Sequence, residues 1–300
     1  MSEEFCDVGR GIKLCYEEFG DPGNPPMLLI MGLGTQMLGW HEDFCEQLAA
    51  RGFFVIRHDN RDIGRSSRLS HLGTPPLWKI IRRERHPAYT LADMAADSVG
   101  VLDHLGIRRA HVVGASMGGM IAQTIAIRFP HRVLSLVSIM SNTGSFWTGQ
   151  PAMGMYALLL KPAPKERDAY IRHGVELFTR IGGSGYEPDV EDLRDIAARS
   201  FDRGHDAAGP LRQLHAIVAD RDRARQLRRL RVPTTVIHGA DDKLVRPSGG
   251  RATAKAIPGA RLVEIAGMGH GLPRGAWPRI LDAITENAGR AAAEPTPARG

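Results

Sequence analysis

The sequence predicts an α/β fold: a mainly parallel sheet covered by helices on both faces, with a helical insertion near the middle of the chain. Three observations point there. Short apolar runs alternate with helical patterns before and after a central gap. The strand candidates read as near-continuous apolar runs, the mark of strands buried on both sides. The gap itself, about 142 to 228, is helical and irregular and holds no strand-like run.

Taken in order, "KLCYEEFG" (13–20) suits an antiparallel edge hairpin at the start of the sheet. "MLLIM" (27–31) is a buried strand, and "HEDFCEQLAARG" (41–52) a helix closed by glycine. "FFVIR" (53–57) is the next strand. Thr90 and Asp93 form a capping box for a helix over 90–106, with Leu91, Met94, Ala95, Leu102 and Leu105 on one stripe. "AHVVG" (110–114) is a strand, 117–129 a helix stopped by Pro130, and "VLSLVSI" (133–139) a strand. After the gap come "TTVIH" (234–238), "RLVEI" (261–265) and a last helix over about 275–288. The division expected is a core over 1–141, a cap over 142–228, the rest of the core over 229–290, and a disordered tail over 291–300. Met153, Met155, Leu158, Leu159, Leu160, Phe178 and Phe201 give the cap its apolar character.

Bulk composition narrows the function classes. The chain has 300 residues, 43% hydrophobic and 24% charged, which describes an ordinary globular protein with one large core. A net charge of +6 with no nucleic-acid motif excludes nucleic acid as a partner. Cys6, Cys15 and Cys45 are odd in number and lack a C-x-x-C spacing, so neither a disulfide scaffold nor a cysteine metal site is expected. "MSEEFCDVGR" lacks a signal-peptide pattern, and no apolar run approaches the roughly 18 residues of a membrane span. The expected compartment is the cytoplasm.

The chemistry begins at "GASMG" (114–118), a G-x-S-x-G between a strand and a helix. A serine hydroxyl is a poor nucleophile alone and needs a base, an orienting acid and donors for the developing oxyanion. In isolation the five residues are an ordinary Gly-Ser turn. Between strand and helix they form an elbow that exposes Ser116 at the carboxyl edge of the sheet. An acid and then a histidine must follow, each after a later strand. "TTVIHGADDKLV" offers Asp241 and Asp242, and "LVEIAGMGHGLP" offers His270. The order Ser116, Asp242, His270 is the one this elbow demands. The oxyanion donors expected are the backbone N–H groups of Met117 and of Leu33, in the "GLGTQ" loop.

Over about 10–288 these residues resemble the α/β-hydrolase superfamily. "HDNRDIGRSS" (58–67) is similar to its Asp-x-Arg-Gly-x-Gly-x-Ser signature, "HVVGASMGG" to its elbow, "HGADDKLVRP" to its acid loop and "GMGHGLP" to its histidine loop. The acid-loop pattern prefers Asp242 to Asp241. "YEEFGDP", "LLIMGLG", "RHDNRDIGRSS" and "IAGMGHGLP" look most like esterases of the aclacinomycin methylesterase type. The resemblance implies an eight-stranded-type sheet and hydrolysis of carboxylic esters through an acyl-enzyme, with no metal or organic cofactor. Lipid-like or hydrophobic esters, and thioesters, are the expected substrates. The same triad would serve an acyltransferase, a perhydrolase or a carbon–carbon hydrolase, and a binding protein of this fold would lack one of its members.

Three departures from the family pattern stand out. Met31-Gly32 replaces the common His-Gly before the oxyanion residue. Arg61-Asp62 replaces the signature's Arg-Gly and reads as loop variation. The connection over 68–89 is long, and its Trp78, Ile80 and Ile81 stand among Lys79, Arg82, Arg83 and Arg85. That mixture over 77–85 suits weak peripheral contact with an anionic membrane, although packing of its apolar side on the cap is the preferred reading. The arginine run "RDRARQLRRLR" (221–231) reads as a solvated helix.

Overall fold

The computed structural model of the chain describes residues 2–155, 158 and 163–293. Its centre is an eight-stranded sheet. β1 (Glu4–Asp7) and β2 (Lys13–Phe19) form the antiparallel edge hairpin, with Phe5 opposite Cys15. β2 lies antiparallel to β4 (Phe54–His58). β4 runs parallel with β3 (Pro26–Ile30), β5 (Ala110–Ala115), β6 (Val133–Ile139), β7 (Thr234–Gly239) and β8 (Arg261–Ile265), and the whole sheet has the order β1-β2-β4-β3-β5-β6-β7-β8.

The apolar runs are continuous because the sheet is covered twice. Leu28 and Ile30 of β3 and Val112 of β5 enter one core; Met27, Leu29 and Val113 enter the other. Period-two alternation therefore sorts an unbroken apolar run onto two buried faces. The first core is closed by α3 (Leu91–His104) and α4 (Met117–Arg128), the second by α1 (Glu42–Ala50) and the C-terminal helix. The capping box of Thr90 and Asp93 is formed at α3. Between α1 and α3, the 68–89 connection folds into the short α2 (Leu77–Ile81), whose Ile80 is buried while Trp78 and Ile81 stay exposed.

The connection from β6 to β7 contains only helices among the described residues: α5 (Arg167–Ile181), α6 (Val190–Arg203), α7 (Gly209–Ala219) and α8 (Ala224–Leu227), besides a 3₁₀ turn at Met153–Met155. Leu159, Leu160 and 294–300 of the expected tail lie outside the described residues.

Several sequence expectations need correction. α9 (Pro247–Ala256), between β7 and β8, has no apolar stripe to announce it: its buried positions are Gly249, Gly250, Thr253 and Ala256. The last helix, α10 (Trp277–Ala293), runs past 288 and into the expected tail. The run 221–231 is not a solvated helix, since only 224–227 are helical and Arg223 is buried. The Arg223 guanidinium donates to the Asn142 carbonyl at 2.9 Å and also binds Asp220.

Candidate active site

Ser116 follows β5 directly and begins α4. Its φ of 56° and ψ of −119° place it in a region that only a tightly held turn imposes on a non-glycine residue. The flanking glycines make the turn possible. A Cβ on Gly114 would stand 2.0 Å from the Gly118 carbonyl oxygen, and one on Gly118 equally close to that of Ile30. Strand and helix approach so closely that neither position admits a side chain.

The base and acid come from the ends of later strands. His270, in the loop after β8, has Nε2 2.9 Å from Ser116 Oγ and Nδ1 2.7 Å from Asp242 Oδ2. Asp242, in the loop after β7, is buried, and its Oδ1 accepts the backbone N–H groups of Leu244 and Val245, both at 2.8 Å. Burial alone would raise its pKa. The charge of His270 and hydrogen bonds from His238 and His270 overcome that and hold it at about 2. Asp241 turns the other way, binding the Ser184 hydroxyl on the exposed side. The structure thus brings Asp242, and not Asp241, to His270.

His238 is a polar group the sequence reading passed over. It is buried in β7, its Nε2 donates to the Val245 carbonyl at 2.7 Å, and the same nitrogen lies 3.5 Å from Asp242 Oδ2. A second overlooked element is the loop after α5. The N–H groups of Gly269 and His270 donate to the carbonyls of Gly182 and Ile181, and that of Gly185 to the Gly267 carbonyl. Glycine faces glycine here: a Cβ on Gly183 would stand 2.4 Å from the Gly267 carbonyl oxygen. "IGGSG" facing "GMGHG" was the available signal.

Met117 is the first residue of α4, so its N–H has no carbonyl a turn earlier to bond to. Leu33 sits in the loop after β3, beside the serine: a Cβ on the preceding Gly32 would lie 3.0 Å from Ser116 Cβ. The Asn60 side chain holds this loop by donating to the Met31 carbonyl at 2.9 Å.

Asp62 is not mere loop variation. It stands where the signature has glycine and keeps glycine's geometry, with φ at 71°. Its carboxylate is buried and takes a two-pronged ion pair from Arg212 of α7, both arms at 2.8 Å. Asp59, also buried, pairs with Arg203 of α6 at 2.8 Å.

Above Ser116 opens a cavity of about 1060 Å³. Leu33 and Met120 line its floor; Leu177, Phe178, Leu193 and Leu214 come from the β6–β7 helices. This is the upper end of the range for small-molecule sites, and its walls are mostly apolar.

Comparison with known proteins agrees with this geometry. The sequence pattern of the alpha/beta hydrolase fold matches residues 25–161. Rhodomycin D methylesterase of Streptomyces peucetius is 32% identical over 282 residues, covering 87% of this chain and 90% of that protein. Among solved structures, a hydrolase from Pseudomonas aeruginosa is 27% identical with a TM-score of 0.69, covering 95% of this chain and 97% of the other. A thermophilic esterase from Thermogutta terrifontis shares the fold at 22% identity and a TM-score of 0.72, with coverage of 97% and 99%.

Proposed function

The chain belongs to the α/β-hydrolase family and hydrolyses carboxylic esters; we propose that it does so through an acyl-enzyme on Ser116, with bulky hydrophobic esters as substrates. One observation carries this reading: the unbroken line from Ser116 Oγ through His270 to Asp242, at 2.9 and 2.7 Å, beneath a large apolar cavity.

His270 Nε2 takes the Ser116 proton as Oγ adds to the ester carbonyl. The carbonyl oxygen, now negative, accepts hydrogen bonds from the N–H groups of Leu33 and Met117. Asp242 accepts the Nδ1–H bond and stabilises the imidazolium. The imidazolium then gives its proton to the departing alcohol, leaving the acyl group on Ser116. Water, deprotonated by His270, releases the acid and restores the serine. This scheme uses no metal or cofactor. Residues 142–228 act as a cap over the core formed by 1–141 and 229–290, and the cap side chains choose the acyl group. The Streptomyces relative is a methylesterase, so methyl esters of large hydrophobic acids are the first substrates to try, with lipid-like esters and thioesters next.

Ser116→Ala assayed on short p-nitrophenyl esters tests the reading. A loss of several orders of magnitude in kcat is expected. Undiminished activity would sink it. Products formed with an added alcohol or thiol present separate hydrolysis from acyl transfer.

Peripheral membrane contact is part of the same proposal. Trp78 and Ile81 of α2, with Phe146 and Trp147, are exposed, Trp147 by 86%, and Ile81 and Phe146 also line the cavity. The Arg83 guanidinium lies 5.4 Å from the centre of the Phe146 ring, so the two segments adjoin. Aromatic and basic groups together suit an anionic interface. Replacing Ile81 and Trp147 with serine should weaken co-sedimentation with anionic vesicles; unchanged binding counts against the contact.

A further inference from the structure

We propose that Gln213, on α7, is a positioning residue for the oxyanion hole, so that the cap helps to build the catalytic geometry as well as covering it. The inference rests on the reading of Leu33 as an oxyanion donor.

Gly32 to Thr35 form a tight turn. The Thr35 N–H donates to the Gly32 carbonyl at 3.3 Å. Gly34 has a φ of 67°, and Leu33 is not among the residues with positive φ. A positive φ at the third position only is the type II signature. Type II differs from the commoner type I by a flip of the central peptide, here Leu33–Gly34. Both ends of that peptide are held. The Leu33 carbonyl accepts the Thr35 hydroxyl at 3.2 Å, and the Gly34 N–H donates to Gln213 Oε1 at 3.0 Å.

Gln213 is itself fixed. It is wholly buried, and its Nε2 donates to the Arg61 carbonyl at 2.9 Å. Gly34 offers only a donor and Arg61 only an acceptor, so the amide has one orientation that satisfies both. Around it α7 packs on the same turn. Leu33 rests on the small cluster of Ile80, Leu211 and Leu214, and a Cβ on Gly34 would lie 3.4 Å from Pro210 Cβ. The turn begins at Gly32, which abuts Ser116. The Gly34 N–H that Gln213 holds is therefore one residue from the Leu33 N–H, yet the bond is supplied from the cap.

Removing the amide leaves the Gly34 N–H and the Arg61 carbonyl without partners and loosens the turn that carries the Leu33 N–H. Gln213→Met keeps the length and loses both bonds. Its kcat on a short p-nitrophenyl ester should fall about ten-fold, below the 10²–10³ of a lost oxyanion donor, with KM changed less than two-fold. An alkyl trifluoromethyl ketone, which adds Ser116 to form a bound oxyanion, should lose affinity in step with kcat/KM. The matching methyl ketone, a ground-state mimic, should not. A kcat and ketone affinity within two-fold of wild type, or a loss confined to KM, overturns the proposal. If Gln213→Met does not fold by circular dichroism, Thr35→Val removes the other clamp on the same peptide. It should lower kcat at least three-fold with a parallel loss of trifluoromethyl ketone affinity, and a change under two-fold overturns the proposal. Ser116→Ala run alongside separates the two ideas: if it stays active the triad reading fails, whereas a dead Ser116→Ala with an unaffected Gln213→Met removes only this inference.

Discussion

The backbone N–H of His270 donates to the Ile181 carbonyl at 2.7 Å, tying the histidine to the end of α5. The general base of the proposed reaction is thus held from two sides: Asp242 orients its ring, and a helix from the β6–β7 connection holds its main chain.

That tie predicts a sensitive position far from the reacting atoms in sequence. Gly183 has a φ of 98° and meets the Gly267–Gly269 backbone. Gly183→Ala should push the histidine loop outward and lower kcat by roughly 10- to 100-fold, because small misplacements of a base are costly. Kinetics beside a melting curve check this. A folded variant with wild-type kcat would refute it.

The two aspartates of the acid loop should behave unequally. Asp242→Asn removes the charge that steadies the imidazolium and should cost on the order of 10³–10⁴ in kcat. Asp241→Asn only loosens the contact with Ser184 and should change kcat less than about three-fold. A larger loss at Asp241 would overturn the choice of acid.

Acid should destabilise the fold through His111. Burial, aided by the charge of Arg109, pushes its pKa down to about 4. The unfolded chain takes up this proton near pH 6.5 while the native one does so near 4, so stability falls as pH drops through that window. The loss from this residue between pH 7 and 4.5 is roughly 2–3 kcal/mol. Urea unfolding at both pH values should give a smaller difference for His111→Gln. An equal difference would show that other groups carry the acid sensitivity.

Arg212→Leu should destabilise by about 3–5 kcal/mol, since it strands the buried Asp62 carboxylate. Adding Asp62→Asn should recover part of that loss. Chemical denaturation of the two variants tests the pair, and a neutral Arg212→Leu would show that water reaches Asp62.

Much of this was legible in the sequence. β3, β5 and β6 announced themselves because a strand buried on both faces must be apolar throughout. Ser116, Asp242 and His270 were legible because each follows a recognisable strand in a fixed order. What escaped notice depends on contacts between distant segments. α9 carries no stripe because it packs through glycine, threonine and alanine. Asp62 looked like a permissible loop change, because its partner Arg212 lies 150 residues away. Gln213 and the Gly182–Gly185 loop sit in the least patterned part of the chain, and only folding reveals that they face Gly34 and His270.

The ion pairs of Asp62 with Arg212 and Asp59 with Arg203 also bear on how such a protein can be re-engineered. β6–β7 helices transplanted from a relative that lacks the matching arginines would leave two buried carboxylates without their charged partners, held only by backbone N–H groups such as those of Leu69 and Met37. Chimeras should therefore keep their stability when the loop after β4 travels with the β6–β7 helices, making those two segments, remote in the chain, a single exchangeable unit.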